Sequence, residues 1–167
     1  QDIFNTNKIA IETLFNFGFD AIIVNPIVGQ KNISKIIQLA HKTKNGIITI
    51  CHLSSPDSQL FYESQIILNN NTKAKLYEFL LNISINAKTD GVIIGATFPH
   101  IIKYCKSITP KNLDIYSPGI GIQGGDILQT ISAGARFLII GRSIISSQNP
   151  LDTITKLYSN IQKISSL

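Results

Sequence analysis

The stretch "YSPGIGIQGGD", residues 116–126, carries Gly119, Gly121 and Gly124 in the spacing G-x-G-x-x-G directly before a predicted helix. Glycine lets backbone N–H groups approach an anion closely, and the N-terminus of a following helix adds the positive end of its dipole. The pattern is therefore typical of a loop that binds phosphate. The same spacing occurs in dinucleotide-binding proteins, so the sequence around the loop is needed to distinguish a dinucleotide site from a site for a smaller phosphate-bearing ligand.

The surrounding chain argues against a dinucleotide. A dinucleotide-binding loop opens the first βαβ unit, and an acidic residue about 20 positions later holds the ribose. Here the loop follows the fourth of five predicted strands, and the first acidic residue after Asp126 is Asp152. We therefore predict a smaller phosphate-bearing ligand.

Short apolar runs alternate with helical patterns along the chain, as they do in repeated βα units around a parallel sheet. Each run is nearly continuous in Ile, Val or Leu, which is expected of strands that are covered on both faces. The predicted strands span residues 21–24, 46–51, 91–94, 113–116 and 137–140.

The segments between the strands carry helical stripes. Two of them place apolar residues at i, i+3 or i+4, and i+7: Ile33, Ile36, Ile37 and Ala40, and then Ile154, Leu157, Ile161 and Ile164. These two stripes predict helices packed on the sheet.

Turn and capping residues predict where other helices begin and end. Asn5 or Thr6 can cap a first helix that ends at Gly18, and Asn149 can cap a last helix that begins at Pro150. A further helix is predicted over residues 72–88. The connection over residues 52–71 is longer than the usual two to six residues, so we expect an insertion there with a small lid helix.

Composition and charge restrict the number of domains and the classes of partner that we expect. A chain of 167 residues with 44% apolar content is expected to form a single domain, residues 1–167. Its apolar runs are shorter than the roughly 20 residues of a membrane helix, so no membrane partner is predicted. The formal charge of +5 is scattered without a basic stripe, so a phosphorylated small molecule is favoured over nucleic acid.

The cysteines and histidines show no metal-ligand spacing. Cys51 and Cys105 are predicted to be buried reduced thiols of a cytoplasmic protein. His41, His52 and His100 are expected to be surface or capping residues, so no metal site is predicted.

Two consecutive strand ends carry the pattern of a phosphate site. In a (β/α)8 barrel the common phosphate site is built by the loops after the last two strands, here residues 118–125 and 141–143. Arg142 supplies a forked, permanently charged donor for phosphate oxygens. The alternative is that the glycines only form tight turns and that Arg142 pairs with a surface acid. Two such loops in succession favour the phosphate site.

With these segments the chain resembles the orotidine 5'-monophosphate decarboxylase family, in particular its archaeal form. The resemblance covers essentially the whole chain in the same order, and its most specific part is the phosphate loop. It rests on "DIFNTN" (2–7), "SSP" (54–56), "GVIIGATFP" (91–99), "SPGIGIQGGD" (117–126) and "IIGRSI" (139–144). The family signature D-x-K-x-x-D-I-x-N-T ends the third barrel strand, and residues 2–6 match its last five positions.

The resemblance implies the fold class α/β, a (β/α)8 TIM barrel of the ribulose-phosphate-binding type with strands 4 to 8 in this chain. The lysine and first aspartate of the signature would then precede Gln1. The chain has no Met, and a complete barrel needs at least about 200 residues, so we expect a portion of a longer polypeptide that lacks the N-terminal strands. Such a portion would leave a sheet edge to pair or aggregate.

The implied function is decarboxylation of orotidine 5'-monophosphate to UMP in de novo pyrimidine biosynthesis, without a metal or organic cofactor, in a homodimer with shared active sites. Asp2 would be the last carboxylate of a catalytic Asp-Lys-Asp-Asp network. Asp2 and Thr6 would both reach the active site of the partner subunit, although both could instead be helix-capping residues.

The resemblance also assigns the substrate contacts. Ser54 would hydrogen-bond the pyrimidine amide, and the backbone at Thr97 would recognise a pyrimidine carbonyl. Gln123 would bridge from the phosphate loop toward the pyrimidine. The residues that would hold the phosphate are Pro118, Gln123, Gly141 and Arg142.

Other functions remain open at this stage. A sister enzyme of the same barrel group, such as hexulose-phosphate synthase, shares part of the signature, although the Q-G-G-D ending of the loop favours the decarboxylase. A non-catalytic paralogue that binds nucleotides is compatible with every visible residue, because the signature lysine lies outside the chain. A nucleic-acid binder has only the overall charge in its favour.

Overall fold

The computed structural model describes residues 4–69 and 71–165. The strands are β1 (Ala21–Val24), β2 (Gly46–His52), β3 (Gln65–Ile67), β4 (Lys73–Lys75), β5 (Gly91–Ile94), β6 (Asp114–Pro118) and β7 (Phe137–Ile139). The helices are α1 (Phe4–Asn16), α2 (Gln30–Lys42), α3 (Ser58–Tyr62), α4 (Leu76–Ala87), α5 (Pro99–Ile108), α6 (Ile127–Ser132), α7 (Arg142–Ile145) and α8 (Pro150–Ser165).

Five of the strands form one parallel sheet in the order β1-β2-β5-β6-β7. All five predicted strands are confirmed, and their ends differ from the predicted ones by at most two residues. Each strand lies beside its neighbour in the chain, and helices connect them, as in an arc of a barrel. Within the described residues, β1 and β7 are the two edges of this arc.

The two faces of the sheet differ in how well they are covered. Because side chains alternate along a strand, Ile47, Val92 and Ile115 point to one face, where helices bury them completely. The predicted stripe of α2 packs there, and its four residues Ile33, Ile36, Ile37 and Ala40 are all buried, as predicted. On the other face Ile23 and Phe137 remain 47% and 40% exposed. This second face corresponds to the inside of a barrel.

Helices α4 and α5 supply six of the fourteen buried residues of the larger core cluster. Leu80, Leu81 and Ile102 are fully or almost fully buried against β5 and β6. Cys51 and Cys105 are buried free thiols, as predicted. Burial raises the pKa of Cys51 to about 12, so the thiol stays protonated at neutral pH. No helix in the described ranges is both long and apolar enough to cross a membrane.

The long connection after β2 holds a small helix, α3, as predicted, and also a hairpin of β3 and β4. The prediction of one helix over residues 72–88 is wrong at its beginning, because Lys73–Lys75 forms β4 and pairs antiparallel with β3. Helix α4 begins only at Leu76, where the Glu78 carboxylate accepts a hydrogen bond from the Lys75 N–H at 2.8 Å. Cross-strand pairing thus overrides the local helical preference.

The ends of the first and last helices were predicted with mixed success. Helix α1 already includes Phe4, so Asn5 and Thr6 lie inside it and the prediction that one of them caps it is wrong. Asn149 does cap α8, because its Oδ1 accepts from the Asp152 N–H at 3.2 Å. Ile154 of the predicted α8 stripe is 47% exposed and borders a groove of about 380 Å³ beside β7.

His52 contradicts the prediction that all three histidines are surface or capping residues. Its side chain is fully buried at the end of β2, and its ring lies 4.4 Å from the Phe98 ring centre and 5.3 Å from that of Tyr62. His41 and His100 are exposed, as predicted. The apolar residues around His52 are distant in sequence, so the local pattern gave no sign of this burial.

Two isoleucines of α5 allow a direct test of the core. Ile102 is fully buried, whereas Ile108 on the same helix is 50% exposed. We expect Ile102→Ala to lower the free energy of unfolding by about 2–5 kcal/mol, because it removes buried contacts and leaves a cavity. Ile108→Ala should change it by less than about 1 kcal/mol. Urea unfolding followed by circular dichroism measures both, and equal losses would contradict this packing.

Burial of His52 predicts a dependence of stability on pH. Desolvation lowers the pKa of His52 in the folded protein below its ordinary value near 6.5, so the unfolded chain binds the proton more readily. The contribution of His52 is fully present above about pH 6.5 and is lost as the pH falls toward the folded-state pKa. Unfolding midpoints should therefore fall more steeply with acid in the unmodified chain than in His52→Gln; parallel slopes would refute the assignment.

Candidate functional site

The glycine loop after β6 folds tightly onto itself. Gly121 and Gly124 have φ angles of +79° and +92°, a region that glycine adopts far more readily than other residues. The Gly124 N–H donates to the Gly121 carbonyl at 2.7 Å, and the Gly125 N–H donates to the Gly119 carbonyl at 3.0 Å. The chain therefore turns back immediately beyond β6, and α6 follows with Asp126 as its cap, accepting from the Gln129 N–H at 2.8 Å.

The loop after β7 contacts the glycine loop through Ser143. The Ser143 hydroxyl donates to the Ile120 carbonyl at 3.2 Å and accepts from the Ile122 N–H at 3.4 Å. A side chain on Gly121 would collide with this hydroxyl. Ser143 lies in the predicted phosphate loop 141–143, but the sequence analysis assigned it no individual role.

The two loops enclose a cavity of about 220 Å³. The four residues that the sequence assigned to a phosphate all line it: Pro118, Gln123, Gly141 and Arg142. Arg142 is exposed and forms no ion pair with a carboxylate in the described part of the chain. The alternative in which a surface acid neutralises Arg142 therefore has no support among these residues, and the guanidinium is available to an anion.

Three predicted residues from successive strand ends are in direct contact beside this cavity. The Ser54 hydroxyl, after β2, donates to Oε1 of Gln123 at 3.2 Å. The Thr97 hydroxyl, after β5, donates to the Ser54 carbonyl at 3.0 Å. The loops that carry Ser54, Thr97 and Gln123 thus form one continuous surface next to the cavity that Arg142 lines.

Close packing at two glycines makes this contact possible. A Cβ on Gly95 would lie 2.6 Å from the Ser54 Cα, and a Cβ on Gly119 would lie 2.6 Å from the Ser54 Cβ. Any larger residue at either position would push Ser54 away. Gly95 was not predicted as a site residue; its position just after a strand was the only local signal.

Two residues were assigned to the catalytic network and the dimer contact, Asp2 and Thr6. Asp2 lies outside the described residues. Thr6 lies near the beginning of α1 with an exposed side chain, and no hydrogen bond to Ser54, Thr97 or Gln123 is found for it in the described ranges. Nor do the described residues include a group of three His, Cys, Asp or Glu side chains arranged to hold a metal ion.

Comparison with known proteins identifies the family of this chain. Residues 1–157 match the Orotidine 5'-phosphate decarboxylase / HUMPS family. The chain is 31% identical to orotidine 5'-phosphate decarboxylase of Methanosarcina mazei over 161 residues, covering 96% of this chain and 68% of the relative. It is also 31% identical to the enzyme of Thermococcus kodakarensis, covering 98% of this chain and 69% of that relative.

Solved structures show the same relationship. The crystal structure of orotidine 5'-phosphate decarboxylase from Pyrococcus horikoshii is 29% identical, with a TM-score of 0.76 over 96% of this chain and 70% of that one. The enzyme from Methanocaldococcus jannaschii, crystallised with the inhibitor BMP, is 26% identical, with a TM-score of 0.79 over 96% of this chain and 69% of that one. The five-stranded arc is therefore part of a (β/α)8 barrel, and the chain belongs to the orotidine 5'-phosphate decarboxylase / HUMPS family.

Proposed function

We propose that this chain carries the substrate-binding loops of an enzyme that converts orotidine 5'-monophosphate to UMP and carbon dioxide. The observation that carries the proposal is the hydrogen bond between Ser54 and Gln123, because Gln123 also lines the cavity between the loops after β6 and β7, together with Arg142. A nucleotide has a phosphate at one end and a planar amide-bearing base at the other. The cavity lined by Arg142 suits the phosphate, and the adjoining surface of Ser54, Thr97 and Gln123 suits the base.

The phosphate end of the substrate would lie between the loops after β6 and β7. Arg142 would bind phosphate oxygens through its planar fork of N–H donors, an arrangement that gives strong charge-assisted hydrogen bonds. Gly141 and Pro118 would shape the walls of the cavity, and the tight glycine loop would let backbone groups approach the anion. This end makes no covalent change in the reaction.

The pyrimidine end would lie against Ser54 and the backbone at Thr97. The Ser54 hydroxyl can pair with a pyrimidine amide, and Gln123 can contact Ser54 while its own loop contacts the phosphate. Gln123 thus connects recognition of the two ends. Binding energy from the phosphate can then be used to order the loops around the base, which favours the transition state over the bound substrate.

The chemical step would require the acidic network to which we assign Asp2. A carboxylate close to the substrate carboxylate destabilises it, carbon dioxide leaves, and the electron pair stays on the ring carbon until a lysine donates a proton to it. The fixed charges of such a network act without a metal or organic cofactor. We assign Thr6, together with Asp2, to the active site of a partner subunit. The protein would accordingly be a homodimer, located in the cytoplasm. Residues 1–167 would belong to a single domain of each subunit.

The activity of the HUMPS members of the same family is a second candidate function. The Ser54–Gln123 pair offers donor and acceptor atoms that match a planar pyrimidine amide, which we favour as its ligand. Turnover of orotidine 5'-monophosphate, followed by the loss of orotate absorbance, separates the two. Tight binding of UMP without turnover would identify a non-catalytic paralogue.

The two arginines of the chain form a matched pair for testing the phosphate contact. In the full-length protein, Arg142→Ala should lower kcat/KM for orotidine 5'-monophosphate by about 10- to 100-fold, because a charge-assisted contact is lost. Arg136→Ala should leave kcat/KM unchanged, since Arg136 lies at the opposite end of β7 and pairs with Asp114 at 3.1 Å. Unchanged kinetics in Arg142→Ala would show that the phosphate binds elsewhere.

Ser54 and Gln123 should act as a unit in binding the base. We expect Ser54→Ala and Gln123→Ala each to weaken UMP binding, and the double variant to lose less than the sum of the two single losses, with a coupling of about 0.5–3 kcal/mol. Isothermal titration calorimetry with UMP measures the three affinities. Strictly additive losses would mean that the hydrogen bond between them has no part in recognition.

A further inference from the structure

His52 lies directly beneath the loop that carries Ser54. It is fully buried at the end of β2, and its Nδ1 is 2.8 Å from the carbonyl oxygen of Leu53, the residue before Ser54. Because a carbonyl oxygen only accepts hydrogen bonds, Nδ1 must carry the proton and donate. One face of the Leu53–Ser54 peptide is therefore held by a buried side chain.

Two further contacts hold the same carbonyl. The Ser58 hydroxyl, from α3, lies 2.8 Å from the Leu53 oxygen and also within hydrogen-bond reach of the Ser55 carbonyl, so its single proton is shared between these two acceptors. On the other side, a Cβ on Gly95 would come within 2.8 Å of that oxygen, so this peptide has little room to rotate. Since the Leu53 carbonyl and the Ser54 N–H belong to one planar unit, fixing the carbonyl also fixes the direction in which Ser54 leaves the strand.

The ring of His52 also contacts the neighbouring loop. It lies 4.4 Å from the ring of Phe98, which directly follows Thr97. The Thr97 hydroxyl in turn donates to the Ser54 carbonyl at 3.0 Å. From the buried side, His52 therefore contacts both loops that we assign to pyrimidine binding.

The surroundings of His52 favour the neutral ring. The groups that face it from neighbouring elements are Tyr62 of α3, Tyr77 of α4, Glu63, Lys75 and His100. Nε2 lies 3.9 Å from Oε1 of Glu63, and neither atom has a hydrogen-bond partner in the described part of the chain. Lys75 neutralises Glu63 at 2.9 Å from its other oxygen. Burial lowers the pKa of His52, in keeping with a neutral ring that carries its proton on Nδ1.

We propose that His52 is a positioning residue for pyrimidine recognition, which acts by donating its Nδ1 proton to the Leu53 carbonyl and thereby orienting Ser54. This inference rests on the proposed function and adds a buried residue to the base end of the site. His52 is not among the residues that line the phosphate cavity. Its effect should therefore appear in binding of the base and not in binding of the phosphate.

Two substitutions separate the hydrogen bond from the packing of the ring. In His52→Asn the side-chain amide nitrogen can occupy the place of Nδ1 and donate to the Leu53 carbonyl. In His52→Gln the amide extends toward the place of Nε2 and Glu63, and that donor is lost. Both variants lose the aromatic ring, so both should be less stable than the unmodified chain. Only one of them keeps the donor.

Affinities for UMP and for ribose 5-phosphate, which lacks the base, test the proposal in the full-length protein. We expect His52→Gln to weaken UMP binding about 10-fold and His52→Asn to remain within about threefold of the unmodified protein. Ribose 5-phosphate should bind all three within about twofold. Equal losses of UMP affinity in the two variants, or a parallel loss for ribose 5-phosphate, would overturn the proposal.

Two other substitutions complete the experiment. Thr49→Val removes a buried hydrogen bond to Ser84, 2.8 Å long, from the same strand, so it should lower stability without changing either affinity. Should both His52 variants fail to fold, Ser58→Ala removes the hydroxyl that contacts both the Leu53 and the Ser55 carbonyls on the same side of Ser54. It should weaken UMP binding at least threefold, by roughly the strength of a neutral hydrogen bond; no change would refute the inference. An unmodified protein that binds ribose 5-phosphate but not UMP would overturn the proposed function itself, and with it this inference.

Discussion

The site depends on one small set of hydrogen bonds, in which Thr97 donates to the Ser54 carbonyl and Ser54 donates to Gln123. These bonds join the ends of three neighbouring strands, so that side chains from distant parts of the chain form one surface. Parallel strands bring their carboxyl ends to the same edge of a sheet, and this edge is where α/β proteins bind their ligands. The order β2-β5-β6 is therefore the structural condition for the contacts among Ser54, Thr97 and Gln123, on which the proposed ligand recognition rests.

Close approach between loops is the constraint behind those hydrogen bonds. Gly95 and Gly119 both pack on Ser54 at distances that leave no space for a side chain, and Gly125 packs in the same way on the Gly119 carbonyl. Ser143 then links the glycine loop to the loop that carries Arg142. Small residues thus have a positional role here: they let backbone and hydroxyl groups meet, and the polar side chains Gln123 and Arg142 complete the site.

Within the described residues, the sheet forms only part of a closed barrel. One face is closed by helices, whereas the other keeps Ile23, Phe137 and Ile139 between 39% and 47% exposed, and within the described residues β1 and β7 have one neighbour each. The chain spans 68% of the length of its relative from Methanosarcina mazei. Both observations fit an arc of a (β/α)8 barrel that brings together the loops carrying Ser54, Thr97, Gln123 and Arg142.

The sequence by itself determined the five core strands, the glycine loop, Arg142 and the apolar stripe of α2, because each leaves a local pattern of period or spacing. Only the tertiary structure decided that residues 73–75 pair as a strand, that His52 is buried among aromatic rings, and that Ser54 contacts Gln123. The physical reason is separation along the chain. The Ser54–Gln123 bond joins residues 69 positions apart, and the burial of His52 depends on partners from α3, α4 and the loop before α5. Local periodicity reports the shape of an element, whereas such contacts depend on which elements become neighbours.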